Sequence, residues 1–230
     1  MKRNRVTRKP AKQTRNRTVK STFDLEMSFR TDLQRDAYEV YKSNDVVIFS
    51  GPAGTGKTHL AMMFAIRDVL KRSVEHIVMT RPVVEAGESL GFLPGDFHEK
   101  VQPYMIPMLD CLKAILPSES MRLHFTNSTL VTAPVAYMRG RTFNDSVCIF
   151  DEAQNATEMQ LKLFLTRCGN NAKMVLTGDP QQSDLRDSGF VNVVRKLKGL
   201  KGVGIVDFPA SDIVRHPLIS QILKRLENDK

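Results

Sequence analysis

Hydrophobic residues along the chain follow two alternating rhythms. Short apolar runs recur at 46–49, 77–80, 130–132, 147–150, 173–177 and 203–208, each compact and apolar enough for a buried parallel strand. Between them the apolar positions return every three or four residues, the period of a helix. Thr31-Asp-Leu-Gln34 has the form of a capping box, and Leu33, Ala37, Val40 and Tyr41 follow at helical spacing. A dense apolar helix is expected from about 57 to 70. Another, carrying Leu161, Phe164, Leu165 and Cys168, begins near Thr157 and stops at Gly169. Leu218, Ile219, Ile222 and Leu226 form the stripe of a closing helix that starts at Pro217.

Strands alternating with helices predict an α/β fold, a parallel sheet flanked by helices on both faces, with ligands at the carboxyl ends of the strands. The stretch 81–129 departs from the rhythm. Pro82, Pro94, Pro103, Pro107 and Pro117, with Gly87, Gly91 and Gly95, mark a loop-rich insertion holding one helix, over 104–116. No internal repeat interrupts the reading, and 22–230 is expected to form a single domain.

Charge is unbalanced at one end only. The net charge is +9, and residues 1–20 contain nine lysines and arginines and no acid, while the remainder carries 25 basic and 25 acidic residues. With Val6, Ala11 and Val19 as its aliphatic residues, the 1–21 segment is expected to be a disordered basic tail. It suits contact with phosphate backbones, or solvation alone; a mitochondrial presequence fits less well, for want of an apolar face. Cys111, Cys148 and Cys168 lack any C-x-x-C spacing, which argues against a metal or disulfide framework and suits a reducing cytoplasm. No apolar run approaches the roughly 20 residues of a membrane span, and no secretory signal opens the chain.

The chemistry is concentrated in three places. Gly51-Pro52-Ala53-Gly54-Thr55-Gly56-Lys57-Thr58 matches G-x-x-x-x-G-K-[ST] in full, after an expected strand and before an expected helix. Its glycines let backbone N–H groups converge on phosphate oxygens, Lys57 reaches the β- and γ-phosphates, and the Thr58 hydroxyl meets Mg²⁺. About ninety residues on, the apolar run 147–150 ends in Asp151 and Glu152. The first acid is placed to hold the metal and the second to orient or deprotonate an attacking water, although Glu152 also reads as a helix-start charge. Third, the run 174–177 leads into Gly178-Asp179-Pro-Gln-Gln182. There Gln182, supported by Asp179, can sense a γ-phosphate, while Gly-Asp-Pro also reads as an ordinary turn.

The chain resembles the PhoH family of P-loop ATPases, relatives of superfamily 1 helicases. The matching stretches are GPAGTGKT at 51–58, TRPVVEAGESLGFLPGD at 80–96, KVQPYMIPMLD at 100–110, YMRGRTF at 137–143, DEAQNAT at 151–157, LTGDPQQSDL at 176–185 and SDIVRHPLI at 211–219. The resemblance implies a RecA-like fold, ATP and Mg²⁺ binding, ATP hydrolysis, a link to RNA or single-stranded nucleic acid, and assembly into homo-oligomeric rings, as hexamers. It also implies that Gln34 reads adenine, that Gln182 couples the γ-phosphate to nucleic acid, and that Arg215 meets the phosphates in the transition state. Gln34 fits equally as the capping residue after Thr31; Arg215 otherwise reads as a surface residue; Arg139 and Arg141 suit either nucleic acid or ion pairs. The tail lies outside the resemblance, and no nuclease domain is carried over. Forty-eight residues follow Gln182, too few for the second lobe of a helicase, so Arg215 is expected to act on a neighbouring copy. An ATP-dependent binding switch or scaffold without helicase activity is the alternative to a motor.

Overall fold

The computed structural model describes residues 25–82, 97–119, 125, 126, 128–183, 188–214 and 225; for 97–102 it describes the backbone alone. Six strands form one sheet: β1 (Val46–Ser50), β2 (His76–Thr80), β3 (Leu130–Thr132), β4 (Ser146–Phe150), β5 (Ala172–Gly178) and β6 (Val203–Asp207). They pair in parallel throughout, in the order β3-β2-β4-β5-β1-β6. Each strand expected from its apolar run is present, displaced by a residue at most at either end.

Alternate residues of the strands feed two cores, one on each face. Val47, Phe49, Ile77, Met79, Val147, Ile149 and Val175 pack on one face, against α1 (Asp32–Ser43), α2 (Lys57–Leu70) and α3 (Phe97–Ile115). Ile48, Val78, Cys148, Phe150, Met174 and Leu176 pack on the other, with Leu161 and Phe164 of α4 (Glu158–Leu165) and Phe190 and Val193 of α5 (Gly189–Leu197). Burial on both faces is why these strands lack a polar alternation.

Three helices depart from the sequence reading. Helix α4 closes at Leu165 and does not reach Gly169, because Phe143 N donates to the Arg167 carbonyl and Gly169 N to the Phe143 carbonyl, drawing Cys168 into a bridge with Phe143. Helix α3 starts at Phe97, seven residues before the expected position, and runs through both Pro103 and Pro107. Each proline lacks the N–H that would bond one turn back, but Met105, Met108 and Leu112 bury into the core beside α2 and hold the helix in place. Helix α5 has no counterpart among the expected elements; Ser188 caps it by accepting from the Phe190 N–H, and Phe190 and Val193 anchor it. At α4 the capping box is complete: Thr157 Oγ1 accepts from Gln160 N, and Gln160 Oε1 accepts from Thr157 N. At α1 only half of one forms, because the Gln34 side chain accepts from Arg30 N instead. The basic tail, most of 80–96 and, but for Arg225, the closing helix lie outside the described residues.

Candidate nucleotide site

Register brings the three chemical stretches to one edge. Ser50 pairs with Gly178, so Gly51 and Asp179 emerge side by side; Thr80 pairs with Phe150, so Arg81 and Asp151 do the same; and Phe150 pairs with Leu176, one residue before Thr177. All sit at the carboxyl edge of the sheet, around a cavity of about 560 Å³. Its walls include Ala53, Gly54, Gly56, Lys57 and Thr58 from the loop after β1, Asp151 and Glu152 after β4, and Asp179 and Gln182 after β5.

The loop over 51–58 needs its glycines for identifiable reasons. Gly51 has φ +143, and a Cβ there would sit 2.4 Å from the Phe208 carbonyl oxygen. Gly56, at φ +87, forms the N-cap of α2 without any side-chain cap, which leaves first-turn N–H groups and the positive end of the helix dipole for an anion. Lys57 Nζ donates to the carbonyls of Gly51 and Pro52 at 2.7 and 2.8 Å, so the ammonium is folded against the loop it would share with a triphosphate. Ala53 N donates to Asp179 Oδ2 at 3.0 Å, tying the loop to the end of β5.

Asp151 is the hub. Its Oδ1 accepts from Thr58 Oγ1 at 2.7 Å and from Thr177 Oγ1 at 2.5 Å, and its side chain is 4% exposed. Two hydroxyls on a nearly buried carboxylate make charge-assisted bonds that fix its direction. Thr58 and Asp151 together present hard oxygen donors, the type Mg²⁺ takes beside phosphate oxygens. A magnesium–triphosphate therefore fits the residues present. Among the described residues no cluster of three or more His, Cys, Asp or Glu side chains could hold a metal by itself.

Glu152 occupies the left-handed region, φ 54 and ψ 42, unusual for a residue with a side chain. Its Oε2 accepts from Gln154 Nε2 at 2.5 Å, and its Oε1 lies 3.2 Å from Arg81 Nη2. Gln154 in turn accepts from Asp179 N at 3.0 Å. A continuous chain of contacts thus runs from Ala53 through Asp179 and Gln154 to Glu152. Neither Gln154 nor Arg81 stands out in the sequence, since Gln154 is fixed in part by the Asp179 amide and Arg81 by acids that follow a neighbouring strand.

Gln34 is buried and donates to the Thr55 carbonyl at 3.2 Å, so it braces the loop from behind, with its amide also holding Arg30 N. Gln182 is exposed at the cavity mouth, whereas Asp179 beside it is buried. Arg141 stacks its guanidinium 4.8 Å over the Phe143 ring. Arg215 lies outside the described residues. Cys111 also lines the cavity, but burial and the Asp151 charge push its thiol up to about 12, so it stays protonated. Burial, and then the Arg30 charge, lower the pKa of neighbouring His59. Among the described residues no helix is long and apolar enough to cross a membrane.

Comparison with known proteins agrees with this architecture. The chain is 45% identical over 194 residues to a PhoH-like protein of Bacillus subtilis (strain 168), covering 83% of this chain and 61% of that one. It is 39% identical over 199 residues to Protein PhoH of Escherichia coli (strain K12), covering 84% and 56%. It thus spans about three-fifths of the length of these relatives. Among solved structures, the large terminase of a thermophilic bacteriophage superposes with a TM-score of 0.55 at 13% identity, over 85% of this chain and 50% of that one. The same terminase in complex with ADP gives 0.55 at 14%, over 85% and 49%. At such identity the likeness speaks to the fold alone, which is a RecA-like P-loop fold. The model of the PhoH-like protein family matches residues 26–227, nearly the whole of the sequence, and the chain belongs to that family.

Proposed function

We propose that this protein binds ATP with Mg²⁺ and hydrolyses it, coupling turnover to RNA or single-stranded nucleic acid. The bond from Thr58 to Asp151 carries the reading, because it joins the phosphate loop to the metal-binding acid across 93 residues of sequence. Backbone N–H groups of 54–58 hold the phosphates, Lys57 leaves the Gly51 and Pro52 carbonyls for the β- and γ-oxygens, and Thr58 and Asp151 hold the metal. Held by Thr58 and Asp151, Mg²⁺ would supply neutralisation of the charge on the phosphates. Glu152 orients the attacking water and accepts its proton. Gln182 responds to the γ-phosphate from the cavity mouth, and Gln34 is the candidate for reading adenine.

Arg81 is the one arginine lining the cavity among the described residues, and it is engaged with the two acids. A further cation for the transferred phosphoryl group must come from elsewhere. Arg215 of a second copy is the candidate, and a homo-oligomeric ring, a hexamer, is the assembly that would present it.

Phosphate release from Mg·ATP tests the reading. Glu152→Gln should lower kcat by about 10² or more while nucleotide still binds, and Lys57→Ala should abolish binding of a fluorescent ATP analogue. Absence of Mg-dependent hydrolysis in the wild-type protein would sink the proposal. Single-stranded RNA separates the two functional classes: a motor is stimulated severalfold, whereas a binding switch turns over at the same rate with and without it.

A further inference from the structure

The end of β2 delivers a single guanidinium to the cavity wall. Arg81 Nη2 lies 3.2 Å from Glu152 Oε1 and its Nη1 lies 3.9 Å from Asp151 Oδ2, with 24% of its side chain exposed. The other Glu152 oxygen is taken by Gln154. The carboxylate is therefore gripped on both oxygens, above a backbone already held in the left-handed region.

Such a grip matters because of where Glu152 stands. A second cavity, of about 300 Å³, adjoins the first and is lined by Pro82, Tyr104 and Asn155. Arg81, Pro107 and Glu152 line both. With 37% of its side chain exposed at this junction, the glutamate has two spaces to occupy, and only one of them adjoins Thr58 and Asp151. Lys57, also on the wall of the first cavity, donates to the Gly51 and Pro52 carbonyls. The planar fork of an arginine fixes an acid in direction as well as distance, which the point charge of a lysine does not.

We propose that Arg81 is a positioning residue for hydrolysis, holding the Glu152 carboxylate on the nucleotide side of the junction. The proposal rests on the reading of Glu152 as the group that activates water. Arg81 acts through that glutamate and makes no demand on nucleotide affinity.

The test is a double-mutant cycle on steady-state ATPase, with wild type, Arg81→Gln, Arg81→Lys, Glu152→Gln and the double variant R81Q/E152Q. Misaim of a reacting group by about an ångström costs up to roughly 10² in rate. Arg81→Gln should therefore lower kcat by about ten- to a hundredfold, with KM for Mg·ATP changed less than about threefold. Arg81→Lys should recover little of the loss, and because it keeps the charge it carries the test should the glutamine variant fail to fold. The double variant should be no slower than Glu152→Gln alone, because two residues acting as one unit do not add. Full kcat in either Arg81 variant, or a double defect equal to the product of the single ones, would overturn the role of Arg81 while leaving the ATPase reading intact. A wild-type protein that does not hydrolyse ATP would remove both, whereas a Glu152→Gln variant that hydrolyses normally would remove the roles of Glu152 and Arg81 and leave the ATPase standing.

Discussion

Far from the nucleotide cavity, a buried tyrosine shows how single residues tie this fold to solution conditions. Tyr41, 1% exposed, donates to Asp68 Oδ2 at 2.6 Å, and Lys173 Nζ lies 4.7 Å over its ring while donating to the Tyr41 and Asn44 carbonyls. Burial first, and then the Asp68 charge, raise the tyrosine pKa well above 10.0. The folded state thus keeps a phenolic proton that the unfolded chain loses near pH 10. The associated stability is complete below that pH and declines as pH rises through the folded value, by at most about 1.4 kcal/mol per pH unit. Tyr41→Phe should show a shallower fall in urea midpoint between pH 9 and 11 than wild type, with a loss at neutral pH of about 1–3 kcal/mol from the missing bond to Asp68. At this scale the sequence was readable where backbone pattern dictates chemistry. The 51–58 loop and Asp151 could be placed because a strand must precede each. Arg81 and Gln154 could not, because no local pattern states the register that sets Arg81 beside Asp151 and Gln154 beside the Asp179 amide.

Helix ends were partly legible for the same reason. Helix α2 closes where expected, through a Schellman motif: Arg72 N donates to Val69 O and Ser73 N to Asp68 O, both at 2.9 Å. The residue at the turn is Arg72, with φ 58, in a position that glycine occupies without strain. Arg72→Gly should raise stability by roughly 0.5–1 kcal/mol, read as a higher urea midpoint at unchanged slope. The start of α3 was hidden by Pro103 and Pro107, which locally argue for loop and are outweighed by the burial of Met105, Met108 and Leu112. Helix α5 was legible in principle, since Phe190, Val193, Val194 and Leu197 keep helical spacing behind Ser188, but it is short and follows a turn-rich stretch.

Across the whole molecule, two expectations depend on more than one folded body. If a neighbouring copy supplies Arg215, specific ATPase activity should rise with protein concentration and track the assembled species in sedimentation; full activity in the monomer would remove the trans arginine. If the 1–20 segment binds phosphate backbones, deleting its nine positive charges should flatten the fall of RNA affinity with salt, by about 0.7 in log–log slope for each phosphate the tail had neutralised. An unchanged slope would assign binding to the folded domain. The sheet order carries a consequence for how the protein is made. Strand β1, which bears the phosphate loop, has β5 and β6 as its hydrogen-bonded neighbours. Both belong to the stretch 172–207, so on the ribosome this strand waits, unpaired on either side, until more than a hundred further residues have been made. Competence to hold nucleotide thus waits for the strand that ends at Asp207, long after the phosphate loop itself is made.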